Sequence, residues 1–371
     1  MHILILNWRD PKSPLEGGAE RFTQKYAEFW ASEGHKVTWL TNSFFGSEKS
    51  ETIKGVEYKR IGPKLDGSLL KYITNYPLYL LKSILFANNF IQKNNVDVVI
   101  DEIHGLPFFS PFFSKKRNIL LVCEVAGPIW DKMFPFPLNI IGKNLERIVY
   151  SFYRSSEIWA ISENTKNNIT ELLPEKKVTV IDLGIDDNNE ILDKISNVKK
   201  TTYPSAIFLA RIVKMKGIET AIKATVSIVK TFPNFKLFVA GDGDATYIQY
   251  LQELIKQLKL ENNIEFLGKV SELDKFSYLK KAHFLFHPSY KEGFGLTVLE
   301  AGLVGTPTLA RKGSGMDYLI KHGYSGFLYT QEEEIENLTK SILQDNERMS
   351  QESIRLASKK LWPKILEKRI L

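Results

Sequence analysis

The sequence predicts an α/β protein of two domains, each a parallel sheet covered by helices. Three observations carry that prediction. The chain's 371 residues exceed the roughly 250–300 at which single cores divide. Short β-rich apolar runs alternate with amphipathic stretches over almost the whole length, as parallel strands joined by crossover helices require. A polar stretch without a strand, DDNNEILDKISNVKKTTYP (186–204), interrupts the rhythm near the middle and reads as a linker. The expected plan is a first domain over 1–185, the linker over 186–204, a second domain over 205–345, and helices over 346–371 that pack back toward the first domain. Ligands of such sheets bind beyond the carboxyl ends of the strands, here in a cleft between the halves.

In chain order, the first half offers strands at HILIL (2–6), KVTWLT (36–41), VEYKRI (56–61), VDVVID (96–101), NILLVCEV (118–125), EIWAIS (157–162) and VTVID (178–182). Helices fall between most of them, clearest at 18–33 and 163–173. The most lipophilic stretch, LLKYITNYPLYLLKSILFANNFI (69–91), is interrupted by Lys71, Asn75, Pro77 and Lys82. It reads as a buried pair of helices, or as a surface that dips into a membrane interface. After the linker come strands at SAIFLA (205–210), KLFVA (236–240), IEFLG (264–268), HFLFHPS (283–289), TPTLA (306–310) and GFLYT (326–330), then helices from 331 onward.

Composition is that of an ordinary soluble chain, 43% hydrophobic and 25% charged. The one cysteine, Cys123, excludes an internal disulfide and suits a reducing compartment. MHILIL is too short for a secretory signal, and no apolar run approaches the ~20 residues of a spanning helix. A cytoplasmic protein is expected. A net charge of +7 favours anionic partners. No dense basic patch interleaved with aromatics is present, so nucleic acid is not expected. The charge, the 69–91 stretch and the aromatic, basic run WDKMFPFPLNIIGKNLERIVYSFYR (130–154) suit peripheral attachment to an anionic membrane face.

EGFGLTVLEAGLVGTPTLA (292–310) is the most informative segment. Gly293 and Gly295 bracket Phe294 in a tight turn, and Leu296 to Leu303 read as a helix stopped at Gly305-Thr306-Pro307. Its first amides form an anion site. Glu292 lies in the loop and Glu300 one turn into the helix. Two carboxylates there are either solvated loop residues or acceptors for the paired hydroxyls of a polyol. Arg211 and Lys216 follow a strand end and could neutralise a diphosphate, or could be solvated surface. Gly17-Gly18 before a helix lets backbone approach a ligand, but the dinucleotide fingerprint is absent. Asp242-Gly243-Asp244 reads as a strand-to-helix turn, not a metal site. His104 follows a strand at its ligand end, where a structural and a functional role are both open. His283 and His287, four apart on a strand, stand ~13 Å from each other, too far to share a metal. No Gly-x-Ser-x-Gly elbow, Walker loop or Cys-x-x-Cys occurs.

In order, GGAE, His104, ISENTKNN, VTVIDLGID, LARIVKMKG, VAGDGD, IEFLGKV, HPSYKEGFGLTVLEAGLVGTP and GYSGFLY resemble the motif series of the family 4 retaining glycosyltransferases. The resemblance implies the GT-B fold, two Rossmann-like domains facing each other across a cleft. It implies transfer of a sugar from a nucleoside-diphosphate sugar to a glycan or lipid-linked acceptor hydroxyl, with no cofactor and no metal in the chemical step. Arg211 and Lys216 match the cations that hold the diphosphate, Glu292 the carboxylate at the transferred sugar, and Glu300 the one at the ribose. Phe294, Gly295 and Leu296 match the segment whose amides meet sugar and phosphates. Gly17, Gly18 and Gly241 match donor-site glycines, and His104 the histidine near the sugar. The family's Gly-Gly-x-x-Glu loop is here GSGMDYL (313–319), with Asp317 and Tyr318 where a Glu is usual. A nucleotide-sugar epimerase and a non-catalytic sugar-nucleotide-binding protein are the alternatives.

Overall fold

The computed structural model describes residues 1–14, 17–65, 69–103, 107–127, 130–131, 135–368 and 371, with backbone alone at 65 and 69–76. The chain divides into two units, one over Met1–Leu183 together with the terminal Leu371 and one over Gly184–Lys368.

In the first unit the leading run, His2–Leu6 (β1), is buried at every residue, as a strand covered on both faces must be. It pairs in parallel with Lys36–Phe44 (β2) and Val98–Ile103 (β5). Val56–Leu65 (β4), Arg117–Val122 (β6), Glu157–Ala160 (β7) and Val178–Val180 (β8) extend the sheet, which runs β3-β4-β2-β1-β5-β6-β7-β8 among the described residues. The sequence reading lacked β3, Ser50–Ile53, the one antiparallel strand, which turns onto β4 through Lys54 and Gly55 at positive φ. An edge strand of sequence SETI has one half-buried face and no apolar run to betray it.

The helices of this unit include Gly18–Ser32 (α1), Leu69–Lys93 (α2), Leu138–Ser151 (α3) and Glu163–Leu172 (α4). The expected pair over 69–91 is instead one helix running through Pro77. Proline removes a single donor, and the buried inner face made by Tyr79, Ala87, Phe90 and Ile91 holds the helix in place. Its other face is not buried: Leu78, Leu81 and Leu85 are exposed. No helix among the described residues is long and apolar enough to cross a membrane.

The second unit is a six-stranded parallel sheet in the order β11-β10-β9-β12-β13-β14. Its strands are Ser205–Leu209 (β9), Lys236–Ala240 (β10), Ile264–Gly268 (β11), Phe284–His287 (β12), Thr308–Arg311 (β13) and Gly326–Tyr329 (β14). Phe208, Leu237, Val239, Phe284 and Phe286 form its core with Ile222 and neighbours on the helices. Those helices include Ile218–Thr231 (α6), Ala245–Gln257 (α7), Glu272–Lys281 (α8) and Leu296–Leu303 (α9).

The unit boundaries differ from the expected plan at both ends of this half. The polar stretch read as a linker belongs to the second unit. It contains a short helix, Asn189–Lys194 (α5), is anchored by buried Ile195, and is stitched down where Lys280 Nζ donates to the carbonyls of Ile195 and Ser196. The final helices also stay in this unit. Asn346–Ala357 (α11) follows Ile335–Gln344 (α10) and lies against α9 so closely that a Cβ on Gly302 would stand 2.9 Å from that of Ala357. Trp362–Leu366 (α12) covers Gly184, with backbone bonds between Ile185 and residues 360 and 362.

Candidate active site

In the second unit the loops after β9 and β12 are laced together. Gly217 takes φ +73°, caps α6, and lies so near Pro288 that a Cβ would stand 2.3 Å from its carbonyl oxygen. Tyr290 N–H donates to the carbonyl of Met215 at 3.0 Å. These contacts bring together side chains 76 positions apart: Lys216 Nζ donates to Glu292 Oε1 at 2.5 Å. The same oxygen accepts from Ser289 Oγ at 2.7 Å and lies 3.0 Å from His287 Nε2. Burial pushes the Glu292 carboxyl up, but the hydrogen bond and attraction of His287, with the Lys216 ammonium, outweigh it and hold the group down at about 2. Glu292 is therefore a fixed anion at neutral pH. Arg211, at the mouth of the same loop, is exposed and its guanidinium has no partner among the described residues.

The loop carrying Glu292 is tied to the loop at 313–319. Its N–H donates to the Ser314 carbonyl at 2.7 Å, and Tyr318 Oη donates to the Phe294 carbonyl at 3.3 Å. Gly295, the N-cap of α9, has φ +64°, and a Cβ there would stand 2.3 Å from Met316 Sδ. Phe294, Gly295 and Leu296 thus open α9 with the amides of its first turn leading. Asp317, in the loop that departs from the family pattern, accepts the Gly313 N–H on both oxygens at 3.0 Å. It closes its own turn.

Glu300 projects from α9 into a cavity of about 260 Å³ whose lining includes Gly241, Lys269, Lys275 and Thr297. Gly241 fits this spot because its φ is +149° and a Cβ would stand 1.9 Å from the Ala210 carbonyl oxygen. Lys275, on α8, donates to Glu300 Oε1 at 2.8 Å and pairs with Glu272. Burial would lower the Lys275 ammonium, but the two carboxylates prevail and its pKa is raised. Sequence reasoning missed Lys275, whose only signal is a lysine on a solvent-type helix. It also passed over His287, considered only as a metal partner of His283. The two have separate surroundings: His283 Nδ1 lies 3.1 Å from Ser205 Oγ, and burial beside Lys200 holds it down at about 4. Asp244 caps α7, accepting from Thr246 and Tyr247 N–H, and Asp242 accepts from the Gly243 N–H.

In the first unit Gly17 caps α1, and buried Glu20 takes the Gly17 N–H at 2.7 Å. Arg9 stacks on Trp8 with its guanidinium 4.0 Å from Glu20, beside the Gly17-Gly18 turn. His104 lies outside the described residues; the strand before it, β5, ends at Ile103.

Solved structures share this architecture over the whole chain. Sucrose-phosphate synthase from Thermosynechococcus elongatus superposes with a TM-score of 0.80 at 16% identity, covering 99% of this chain and 96% of that one. The Anabaena protein HepE, solved with UDP and glucose, gives 0.70 at 18%, covering 99% and 98%. Both units are parallel-sheet α/β domains of GT-B type. Residues 16–189 match the family described as Glycosyltransferase Family 4 and residues 189–359 match Glycosyl transferases group 1. The chain belongs to the family 4 glycosyltransferases. An uncharacterised glycosyltransferase of Methanocaldococcus jannaschii is 27% identical over 88% of this chain and 84% of its own. The N-acetyl-alpha-D-glucosaminyl L-malate synthase of Bacillus anthracis is 29% identical over 85% and 81%.

Proposed function

We propose that the protein moves a sugar from a nucleoside-diphosphate sugar to an acceptor hydroxyl with retention of anomeric configuration, in the assembly of a glycan or glycolipid at the cytoplasmic face of a membrane. The observation that carries this reading is Lys216 seated on Glu292, with unpartnered Arg211 on the same loop and the opening amides of α9 beside them. Arg211 and Lys216 take the diphosphate, whose negative charge grows as the bond to the sugar breaks. Fixed cations and helix amides there lower the barrier with no metal ion in the step. Glu292 faces the carbon that becomes positive and accepts from sugar hydroxyls. Glu300, held by Lys275 in the Gly241 cavity, accepts from the ribose.

A carboxylate held at about 2 is a poor proton acceptor near neutral pH. The proton of the attacking hydroxyl is then left to an oxygen of the departing phosphate, on the face that retention requires. The motif resemblance, rather than any geometry, assigns His104 to the sugar and Gly17 and Gly18 to the diphosphate. The test is product analysis with a panel of uridine and guanosine diphosphate sugars, reading the new linkage by NMR. An axial donor linkage should give an axial product; inversion would overturn the mechanism.

A further inference from the structure

The outward face of α3 has the composition of an inward one. Leu138, Ile141, Leu145, Ile148 and Phe152 recur at alternating spacings of three and four, so they form one stripe along the helix and the residue after it. Each is 41% to 55% exposed. The opposite face is already satisfied. Gly142 lies against the Trp130 ring, Tyr150 is buried, and Glu146 accepts from the Ala126 and Gly127 amides at 2.7 and 2.8 Å and from the Trp130 indole at 3.2 Å. Burying the stripe on the protein would therefore require turning out an anchored face.

The apolar surface continues beyond the helix. Phe152 meets Phe112 edge to face at 5.1 Å, and Phe112 is itself exposed on the turn Ser110–Phe112. Cations accompany it. Lys143, Arg154 and Arg117 answer to Asp131, Glu175 and Glu157. Lys115, Lys116 and Arg147 are exposed and have no carboxylate partner among the described residues. Glu146 is the one carboxylate between residues 135 and 154, and it is turned toward backbone amides. An apolar stripe on a segment with no outward acid, accompanied by more cations than the carboxylates that pair with them, matches an interface of acyl chains under anionic headgroups. A second copy of the chain would set the same cations against each other.

We propose that the α3 face docks the protein on an anionic lipid bilayer, with the Leu138-to-Phe152 stripe and Phe112 entering the acyl boundary and Lys115, Lys116 and Arg147 at the headgroups. This deepens the reading of a membrane-bound acceptor, and its test needs no turnover. Flotation with vesicles of equal parts phosphatidylglycerol and phosphatidylcholine, and of phosphatidylcholine alone, compares the wild type with two variants. The first is Ile141→Gln/Leu145→Gln/Ile148→Gln, at half-exposed positions; the second is Lys115→Gln/Lys116→Gln/Arg147→Gln. The wild type should bind the anionic vesicles better, the first variant should lose roughly tenfold or more in partitioning, and the second should lose the preference for anionic lipid while keeping its melting temperature. Absence of wild-type binding to either vesicle overturns the proposal, as does wild-type binding by both variants. So does a dimer in sedimentation equilibrium that the first variant abolishes without change in vesicle binding, which would assign the stripe to a second copy. UDP and GDP affinities measured on the same variants report separately on the donor reading.

Discussion

Glu292 gathers Lys216, Ser289 and His287 on one oxygen, and the consequences of that pairing differ for the two ends. Removing the carboxylate's charge frees Lys216 for a diphosphate, so Glu292→Gln should keep or improve affinity for free nucleoside diphosphate while lowering the single-turnover rate constant. Lys216→Ala strands a buried anion and should cost turnover more than donor affinity, because its charge partner grows in the transition state. Calorimetry and quench-flow on both variants check this; loss of diphosphate binding by Glu292→Gln would reverse the assignment. The pairing also sets a pH dependence. With its pKa depressed from 4.5 to about 2, Glu292 adds stability that is present in full above its unfolded value and lost as pH falls toward 2, on the order of 3 kcal/mol. The denaturation midpoint of wild type should fall toward that of Glu292→Gln between about pH 5 and about pH 3. Glu300→Gln should weaken nucleotide and intact donor alike, by roughly 1.5–3 kcal/mol. Of the candidate site, Arg211, Lys216, Glu292 and Glu300 could be singled out in the sequence because each follows a strand end or lies at the start of a helix. Lys275 and His287 were not, because their meaning comes from side chains 25 and 5 positions away across a fold that composition does not reveal.

At the scale of elements, the site depends on two loops that share a backbone contact. Gly217 has positive φ and also faces the Pro288 carbonyl, whereas Gly323 has φ +78° with nothing within 4 Å of a built Cβ. Gly323→Ala should cost only left-handed strain, about 1–2 kcal/mol. Gly217→Ala should cost more and should also reduce turnover, since it parts the loop of Lys216 from that of Glu292. Thermal melts and turnover on the pair separate strain from displacement. The same scale shows what patterning can and cannot give. The six strands of the second unit were readable from short apolar runs bounded by turns, and the four inner ones bury nearly every residue. Edge strand β3 was not, since one of its faces is wet, and α2 was divided at Pro77 because sequence shows the missing donor but not the inner face that outweighs it. The stretch 186–204 was read as a linker for its polarity; a single buried Ile195 and the Lys280 bonds tie it to the second unit instead.

For the molecule as a whole, a net charge of +7 could answer to phosphates or to headgroups, and each unit carries a group of cations suited to one of the two proposed tasks. Arg211 and Lys216 lie on the loop after β9 in the second unit, while Lys115, Lys116 and Arg147 are exposed on the first, near the α3 stripe in sequence. The two groups should separate under salt. Exposed headgroup cations are screened within a Debye length, about 8 Å at physiological ionic strength, whereas Lys216 is mostly buried beside Glu292 and is screened less. Raising salt should therefore release the protein from anionic vesicles while leaving turnover on a soluble acceptor analogue much less affected. The same assay with a chelator addresses the chemical step. If fixed cations and helix amides carry the leaving diphosphate, EDTA should leave the single-turnover rate constant unchanged at saturating donor. A rate restored only by added magnesium or manganese would mean that Arg211 and Lys216 do not suffice, and would return attention to Asp242 and Asp244 at the turn beside them.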